Sequence, residues 1–296
     1  MRALFCALPI FLGCASSQVQ SVNAKVETQV EQQHGILCVL ENENVTESSG
    51  IALSRLLKGV YWTHNDSGDG PNVYAFDSQG KDRGTFTLRG AQAIDWEDIA
   101  SATLDGKSYL FVGDIGDNNR IRDTIVVYRV PEPKPAAGKH IIDDFETFTL
   151  TYPDGAHDCE ALIVTPSGAI QLITKSPDGV AGVYQAKLPE KSSKLELTKI
   201  GELKIEASVA GMRMVTAADM DVDGKRVVIR TYTQALLYEG SPTNWFTMQP
   251  TRIPVQFEGQ SEAVCFDFDP TRIITTSEGK PCRVNWTRVS KVESPR

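Results

Sequence analysis

The chain has 296 residues, 41% of them hydrophobic, with a formal net charge of −8 and a pI near 5.1. That balance excludes a nucleic-acid partner, which needs a basic stripe, and no apolar run reaches the ~18–20 residues that span a bilayer. The length fits one large all-β domain or two ordinary ones, and the repeats described below favour one.

The first segment reads as an export signal: Arg2 supplies the positive charge and Ala3 to Leu12 a short apolar stretch interrupted by Pro9. Phe11-Leu-Gly-Cys14-Ala-Ser-Ser17 then resembles a bacterial lipoprotein cleavage box, in which Cys14 is lipidated and becomes the first mature residue. This places the protein outside the cytoplasm, tethered to the cell envelope through a lipid on Cys14. A plain secretory cut near Ala15–Ser17 is the alternative and gives a soluble periplasmic or secreted protein. Residues 1–13 are read as signal, 14–34 as lipid anchor and polar tether, 35–290 as the folded domain and 291–296 as a tail.

Within 35–290, five segments repeat one pattern. An acidic residue opens an apolar run, and a second strand follows that ends in polar or charged residues. The leading acids are Glu47, Glu97, Glu160, Asp219 and Glu262, spaced 43 to 63 residues apart. Repeats of that length built from short strands predict an all-β fold, a single β-propeller. Five blades start at these acids; six is the alternative count if residues 190–216 hide a degenerate blade. Blade five offers three strands, so Gly35–Leu40 is expected to complete it and close the ring. That closure lays Cys38 beside Cys282, the expected disulfide among Cys38, Cys159, Cys265 and Cys282; four buried thiols are the alternative. Pro131-Glu-Pro-Lys-Pro135 reads as a stiff surface loop.

Equivalent positions in propeller blades converge on one axis, so the leading acids would form a ring. Converging carboxylates repel, and burying them unpaired is costly. A cation must sit among them, either a metal ion or Lys175 and Arg230, which end the second strands of blades three and four. All the available ligands are hard oxygens, which points to Ca2+. The expected ligands are Glu47, Asp66, Glu97, Asp114, Glu160 and Glu262. Asp66 and Asp114 come from the polar clusters Asn65-Asp-Ser-Gly-Asp-Gly70 and Gly113-Asp-Ile-Gly-Asp-Asn118. His64 and His157 adjoin the acids and are candidate general acids or bases. Asp219-Met-Asp-Val-Asp-Gly224 opens like an EF-hand loop, but its twelfth position is Arg230 instead of Glu, so it is read as a hairpin turn.

Taken together, Glu47-Ser-Ser-Gly-Ile, Thr63-His-Asn-Asp-Ser-Gly68, Asp95-Trp-Glu-Asp-Ile99, Val112-Gly-Asp-Ile-Gly-Asp-Asn118, Val127-Tyr-Arg-Val-Pro-Glu132 and Tyr152-Pro-Asp-Gly-Ala-His-Asp-Cys-Glu-Ala161 resemble a family of exported bacterial propellers with no settled function. More distantly the chain is similar to phytase-like esterase propellers, through Glu-x-Ser-Gly-Ile, and to calcium-activated nucleotidases, through Trp96-Glu-Asp-Ile-Ala and Val112-Gly-Asp-Ile-Gly. The resemblance spans about residues 45–280 and implies metal-dependent phosphoester or ester chemistry. Two functions follow as expectations. One is a Ca2+-dependent hydrolase of phosphate esters or related anions, with Lys175 and Arg230 holding the anion. The other is a non-catalytic envelope-binding propeller whose metal, or axial salt-bridge network, is structural. The expected partner is a small anionic molecule or an envelope component, and the folded unit is expected to be a monomer.

Overall fold

The computed structural model describes residues 33–207, 209–256 and 259–289. The signal, Cys14, the tether as far as residue 32 and the tail lie outside the described residues. The described chain forms five sheets, each antiparallel over its first four strands. Blade one comprises Ser48–Leu53, Val60–Asn65, Asn72–Asp77 and Asp82–Leu88; blade two, Trp96–Leu104, Lys107–Asp114, Ile125–Pro131 and Glu146–Thr151. Blade three comprises Cys159–Val164, Ala169–Thr174, Val180–Lys187 and Thr198–Lys204; blade four, Val215–Met220, Arg226–Thr231, Ala235–Glu239 and Thr251–Ile253. Blade five has Ala263–Phe266, Arg272–Thr276 and Arg283–Arg288, and its outer strand is His34–Val39, paired antiparallel with Arg283–Arg288. The first strand of each blade contacts the first strand of the next, and Ser48–Leu53 contacts Ala263–Phe266, which closes the circle. The molecule is therefore a five-bladed β-propeller closed by its N-terminal strand. The described residues of 190–216 hold no sixth blade: they supply an extra rim strand, the last strand of blade three, a 3-10 turn and the start of the first strand of blade four.

Why these residues form this ring is visible in the burial of the inner strands. Ser48–Leu53 and Cys159–Val164 are buried at every position. Alternate side chains leave a strand on opposite faces, and in a propeller both faces meet a neighbouring blade. Ile51 enters the core between blades five and one, and Ala52 the core between blades one and two. Leu162 likewise faces blade two, while Ala161 and Ile163 face blade four. The five hydrophobic clusters are the five interfaces between blades. Such strands read in sequence as apolar runs instead of clean alternation.

Two expectations are corrected. Cys38, Cys159, Cys265 and Cys282 are all buried thiols. Cys38 stands opposite Val284, and it is Leu40 whose N–H reaches Cys282 O at 3.0 Å. Cys38 and Cys282 are thus diagonal neighbours, roughly 7–8 Å apart by the geometry of such pairs, which is beyond the usual reach of a disulfide. The proline-rich insert is not merely surface. Its Glu132 is buried and accepts Trp62 Nε1 at 2.9 Å, Ser54 Oγ at 2.5 Å and Arg55 N at 2.9 Å, clamping blade two to blade one.

Removing residues through 40 strips the outer strand from blade five, with the burial of Leu40, at about 1.5–3 kcal/mol for a side chain fully buried, and the smaller contributions of Cys38 and the partly buried Leu37. In a domain of this size the melting temperature is expected to fall by roughly 10 °C, whereas removal through residue 30 leaves it nearly unchanged. Equal melting of the two truncations would show that the ring does not need this strand.

Candidate metal centre

Four of the five inner strands begin with the same irregularity at the same end of the ring. In blades one to four one residue is skipped by the pairing: Ser49, Glu97, Glu160 and Thr216. In blade five Glu262 holds the corresponding place, just ahead of the first paired residue, Ala263. A bulged residue leaves the ladder and re-aims its side chain. Here Glu97, Glu160 and Glu262, all buried, each bring one carboxylate oxygen to within 4.8 Å of the other two. Glu97 also belongs to a second group of the same kind with Asp66 and Asp95.

The backbone confirms the equivalence and extends it. The residue two places ahead of the bulge accepts an N–H from the residue just beyond the second strand in four blades: Glu47 from Asp66, Asp95 from Ile115, Asp158 from Lys175, and Gln260 from Glu278. The mouth therefore has three tiers. The bulge tier is Ser49, Glu97, Glu160, Thr216 and Glu262. The tier beyond the second strands is Asp66, Ile115, Lys175, Tyr232 and Glu278. Glu47, Asp95 and Asp158 belong to the outermost tier.

Three expected ring members are re-placed by this register. Glu47 is exposed at the rim, bridged to Glu278, two residues ahead of the bulge. Asp219 lies three residues past the bulge, where it accepts Met220 N and Phe266 N, each at 2.9 Å, and staples blade four to blade five. Asp114 is fully buried but faces Arg122, with Nη2 to Oδ1 at 2.9 Å, and accepts Asp95 N at 3.1 Å. Through that bond it holds the backbone of Asp95, and it is Asp95 that groups with Asp66 and Glu97. Of the two basic residues, Lys175 is at the ring, with Nζ 2.7 Å from Glu160 Oε1 and 5.6 Å from the centre of the Tyr232 ring. Arg230 and His64 sit at equivalent points of the second strands, opposite Ala217 and Gly50, and both are fully buried two residues short of the mouth position. His64 donates its Nδ1–H to Asn65 O at 2.8 Å and packs edge-on against Trp96; burial holds it below the usual histidine pKa. His157 turns outward to Asp154 and Tyr184, each at 2.9 Å. Neither histidine is among the acid groups.

The electrostatics follow from burial. Glu97 is pushed well above the ordinary carboxyl range by burial and then by Glu160, Asp66 and Asp95. Burial likewise raises Glu160, while the Lys175 ammonium pulls it back. For Lys175 burial disfavours the charge, and Glu160 outweighs it and holds the ammonium above the usual lysine range. Glu262 is raised to about 7 by burial, against the pull of Lys175 and with Glu278 and Asp66 adding to the rise. Asp95 reaches about 6 by burial, with Asp66 and Asp158 adding and Arg122 opposing.

The donor set fits a hard divalent cation. Oxygens on a sphere of Ca2+ bond length, about 2.3–2.6 Å, stand no more than about 5 Å apart, as these do. Glu160 Oε2 is buried with no hydrogen-bond partner. Gly116 leaves room: a Cβ there would come within 2.3 Å of Glu97 Oε1 and 2.5 Å of Asp95 Oδ2. Beside the ring lies a cavity of about 730 Å³ whose wall includes Lys175, Asp158, Tyr232, Asn118, Arg120 and Ser176. Sequence reasoning passed over Asp95, Tyr232 and Glu278 as site residues. The signal for the first was present, since Glu47-Ser-Ser, Asp95-Trp-Glu and Asp158-Cys-Glu share one frame. The chain matches no protein-family model and no curated protein sequence.

A carboxyl whose pKa is raised by folding binds more protons folded than unfolded, so its contribution to stability is present at low pH and lost as pH rises through the folded value. For Glu262 that window runs from 4.5 to about 7. In chelator, wild type is expected to lose melting temperature relative to Glu262→Gln between pH 5 and 8. A wild type that gains on the variant over that range would contradict this arrangement.

Proposed function

We propose that this propeller binds Ca2+ at its axial mouth through Glu97, Glu160 and Glu262, with Asp66 and Asp95 beside them, and uses that charge to hold a small anionic ligand. The observation that carries this reading is the convergence of three buried glutamates, one carboxylate oxygen of each within 4.8 Å of the others, with Lys175 paired to Glu160 alone among them. Two of the six expected ligands, Glu47 and Asp114, drop out, and Asp95 enters. The chain's own groups bind the cation, position it through the Asp114–Arg122 pair, and line the adjoining cavity with donors. The export signal and the Cys14 box favour a periplasmic or surface site of action, tethered by lipid.

Hydrolysis of a phosphate ester is a second reading, favoured by a specific observation. Glu262 is raised to about 7 and Glu97 well above the ordinary carboxyl range by burial beside the cation site, and a carboxyl near 7 can give or take a proton at working pH. A bound cation would supply Lewis acidity to the ligand oxygen. His157 is held by Asp154 and Tyr184 and His64 is buried against Trp96, so this reading rests on the carboxyls and not on the histidines.

Ca2+ added to chelated protein is expected to raise the melting temperature, because it binds the folded form alone. Glu97→Gln is expected to fold, to melt higher than wild type in chelator because one repelling charge is gone, and to bind Ca2+ at least about tenfold more weakly, ~1.4 kcal/mol. Gly116→Ala is expected to weaken Ca2+ in the same way by displacing Glu97 and Asp95. A wild type indifferent to Ca2+ in both melts and calorimetry would reduce the ring to a salt-bridge network. Phosphatase and esterase panels run with and without chelator separate catalysis from binding.

A further inference from the structure

The counter-charge of the glutamate ring is also a wall of the neighbouring cavity. Lys175 is the first residue beyond the second strand of blade three, its own N–H held at 2.9 Å by Asp158 O. Its Nζ takes Glu160 Oε1 at 2.7 Å, while Oε2 of the same buried carboxylate has no hydrogen-bond partner. One glutamate thus serves an ammonium with one oxygen and has the other left over in a group that converges with Glu97 and Glu262. A divalent cation on that group and the ammonium of Lys175 would compete for one carboxylate at a separation of a few ångströms, where like charges repel strongly in a buried site.

The route away from the ring is built. Tyr232, with its ring centre 5.6 Å from Nζ, and Lys175 itself both line the 730 Å³ cavity. The other donors on that wall include Asn118 and Arg120. Arg120 is held at a φ of 53°, a left-handed conformation that is rare for a residue with a side chain and is kept where the geometry is used. Its N–H is fixed to Asp117 O at 2.8 Å, and Asp117 N in turn to Asp158 Oδ1 at 2.9 Å. The two acids on the wall are already engaged: Asp158 by Asp117 N, and Asp178 by Ser176 Oγ at 2.7 Å and Val180 N at 2.8 Å. Lysine suits such a move, being a point charge on a flexible four-carbon stem.

We infer that Lys175 is a built-in competitor for the axial cation, and that cation binding releases its ammonium into the cavity, where with Arg120 it binds a small anion of the phosphate class. The inference rests on the reading above that the ring takes Ca2+. It makes binding ordered: the anion site is complete only when the cation has displaced Lys175 from Glu160.

The wild-type protein tests this without any substitution. Lysine acetylation by a small amine reagent, mapped by mass spectrometry, is expected to rise at Lys175 at least about tenfold as Ca2+ is added, while Lys199 on the outer face of blade three serves as the unchanging reference. Unchanged or slower labelling of Lys175 under conditions where calorimetry shows Ca2+ bound overturns the inference and leaves the metal centre standing. Calorimetry that shows no Ca2+ binding to wild type removes the metal centre itself, and the inference with it. Lys175→Gln, which keeps a hydrogen-bond donor for Glu160, is expected to bind Ca2+ at least about tenfold more tightly. It is also expected to lose the binding of inorganic phosphate that wild type shows only with Ca2+ present. Equal or weaker Ca2+ affinity in the variant, or phosphate binding to wild type in chelator, overturns it. If the variant does not fold, the labelling result decides alone.

Discussion

The inner strands are buried on both faces, and this constraint governs where a polar side chain can stand. Ile51 and Ala52 belong to different inter-blade cores, as do Ala161 and Leu162. With both faces filled by apolar contacts, the head of each inner strand is where acidic side chains gather. Glu97 and Glu160 sit at bulges there, and Glu262 sits just ahead of the first paired residue of blade five. Below the bulges, polar groups on these strands serve the backbone. Asp98, fully buried, accepts Ile99 N and Leu162 N at 2.8 Å and Ala218 N at 3.4 Å, tying blades two, three and four with one carboxyl group. The same side-chain chemistry is a staple in one tier and a candidate ligand in the next, and register alone makes the difference.

Stability and function pull against each other at the mouth. Three glutamates gathered in a dry place repel, and burial penalises each charge. Lys175 offsets part of this, raised protonation offsets more, and the remainder weakens the fold to the benefit of whatever cation relieves it. Sites that keep such strain are where function is expected, because optimising stability there would remove it.

Much of the architecture was legible in the chain. Apolar runs at regular spacing, turn residues between them and a three-strand final repeat define a five-bladed ring closed by its N-terminal strand. Glu97, Glu160 and Glu262 were legible as its axial acids. The misplacements share one physical origin: a bulge adds a residue without altering composition. Glu47 was aligned with Glu97 although it belongs with Asp95 and Asp158, two residues earlier. Asp219 was aligned with the ring although Thr216 holds that place. Asp114 faces Arg122, which a tight loop brings back to it and which no periodicity reveals. Cys38 and Cys282 do meet in one core, but pairing register sets them diagonally and not opposite. Glu132 was hidden by its prolines, which mark a loop but say nothing of what the loop's one buried carboxylate touches.

Three blades are finished with strand borrowed from elsewhere in the chain. Lys139–Ile142, from the third connection of blade two, adds in parallel to the rim of blade one, and Ser193–Glu196, from blade three, adds in parallel to the rim of blade two. His34–Val39 completes blade five. During synthesis, blade one therefore waits for chain that emerges some fifty residues after its own last strand, and blade two waits in the same way on blade three. His34–Val39, the first of the described strands, is the last of them to find its partner. It must stay unpaired and unaggregated until Arg283–Arg288 appears, and that long-range pairing exposes a strand edge for as long as the rest of the ring takes to be made.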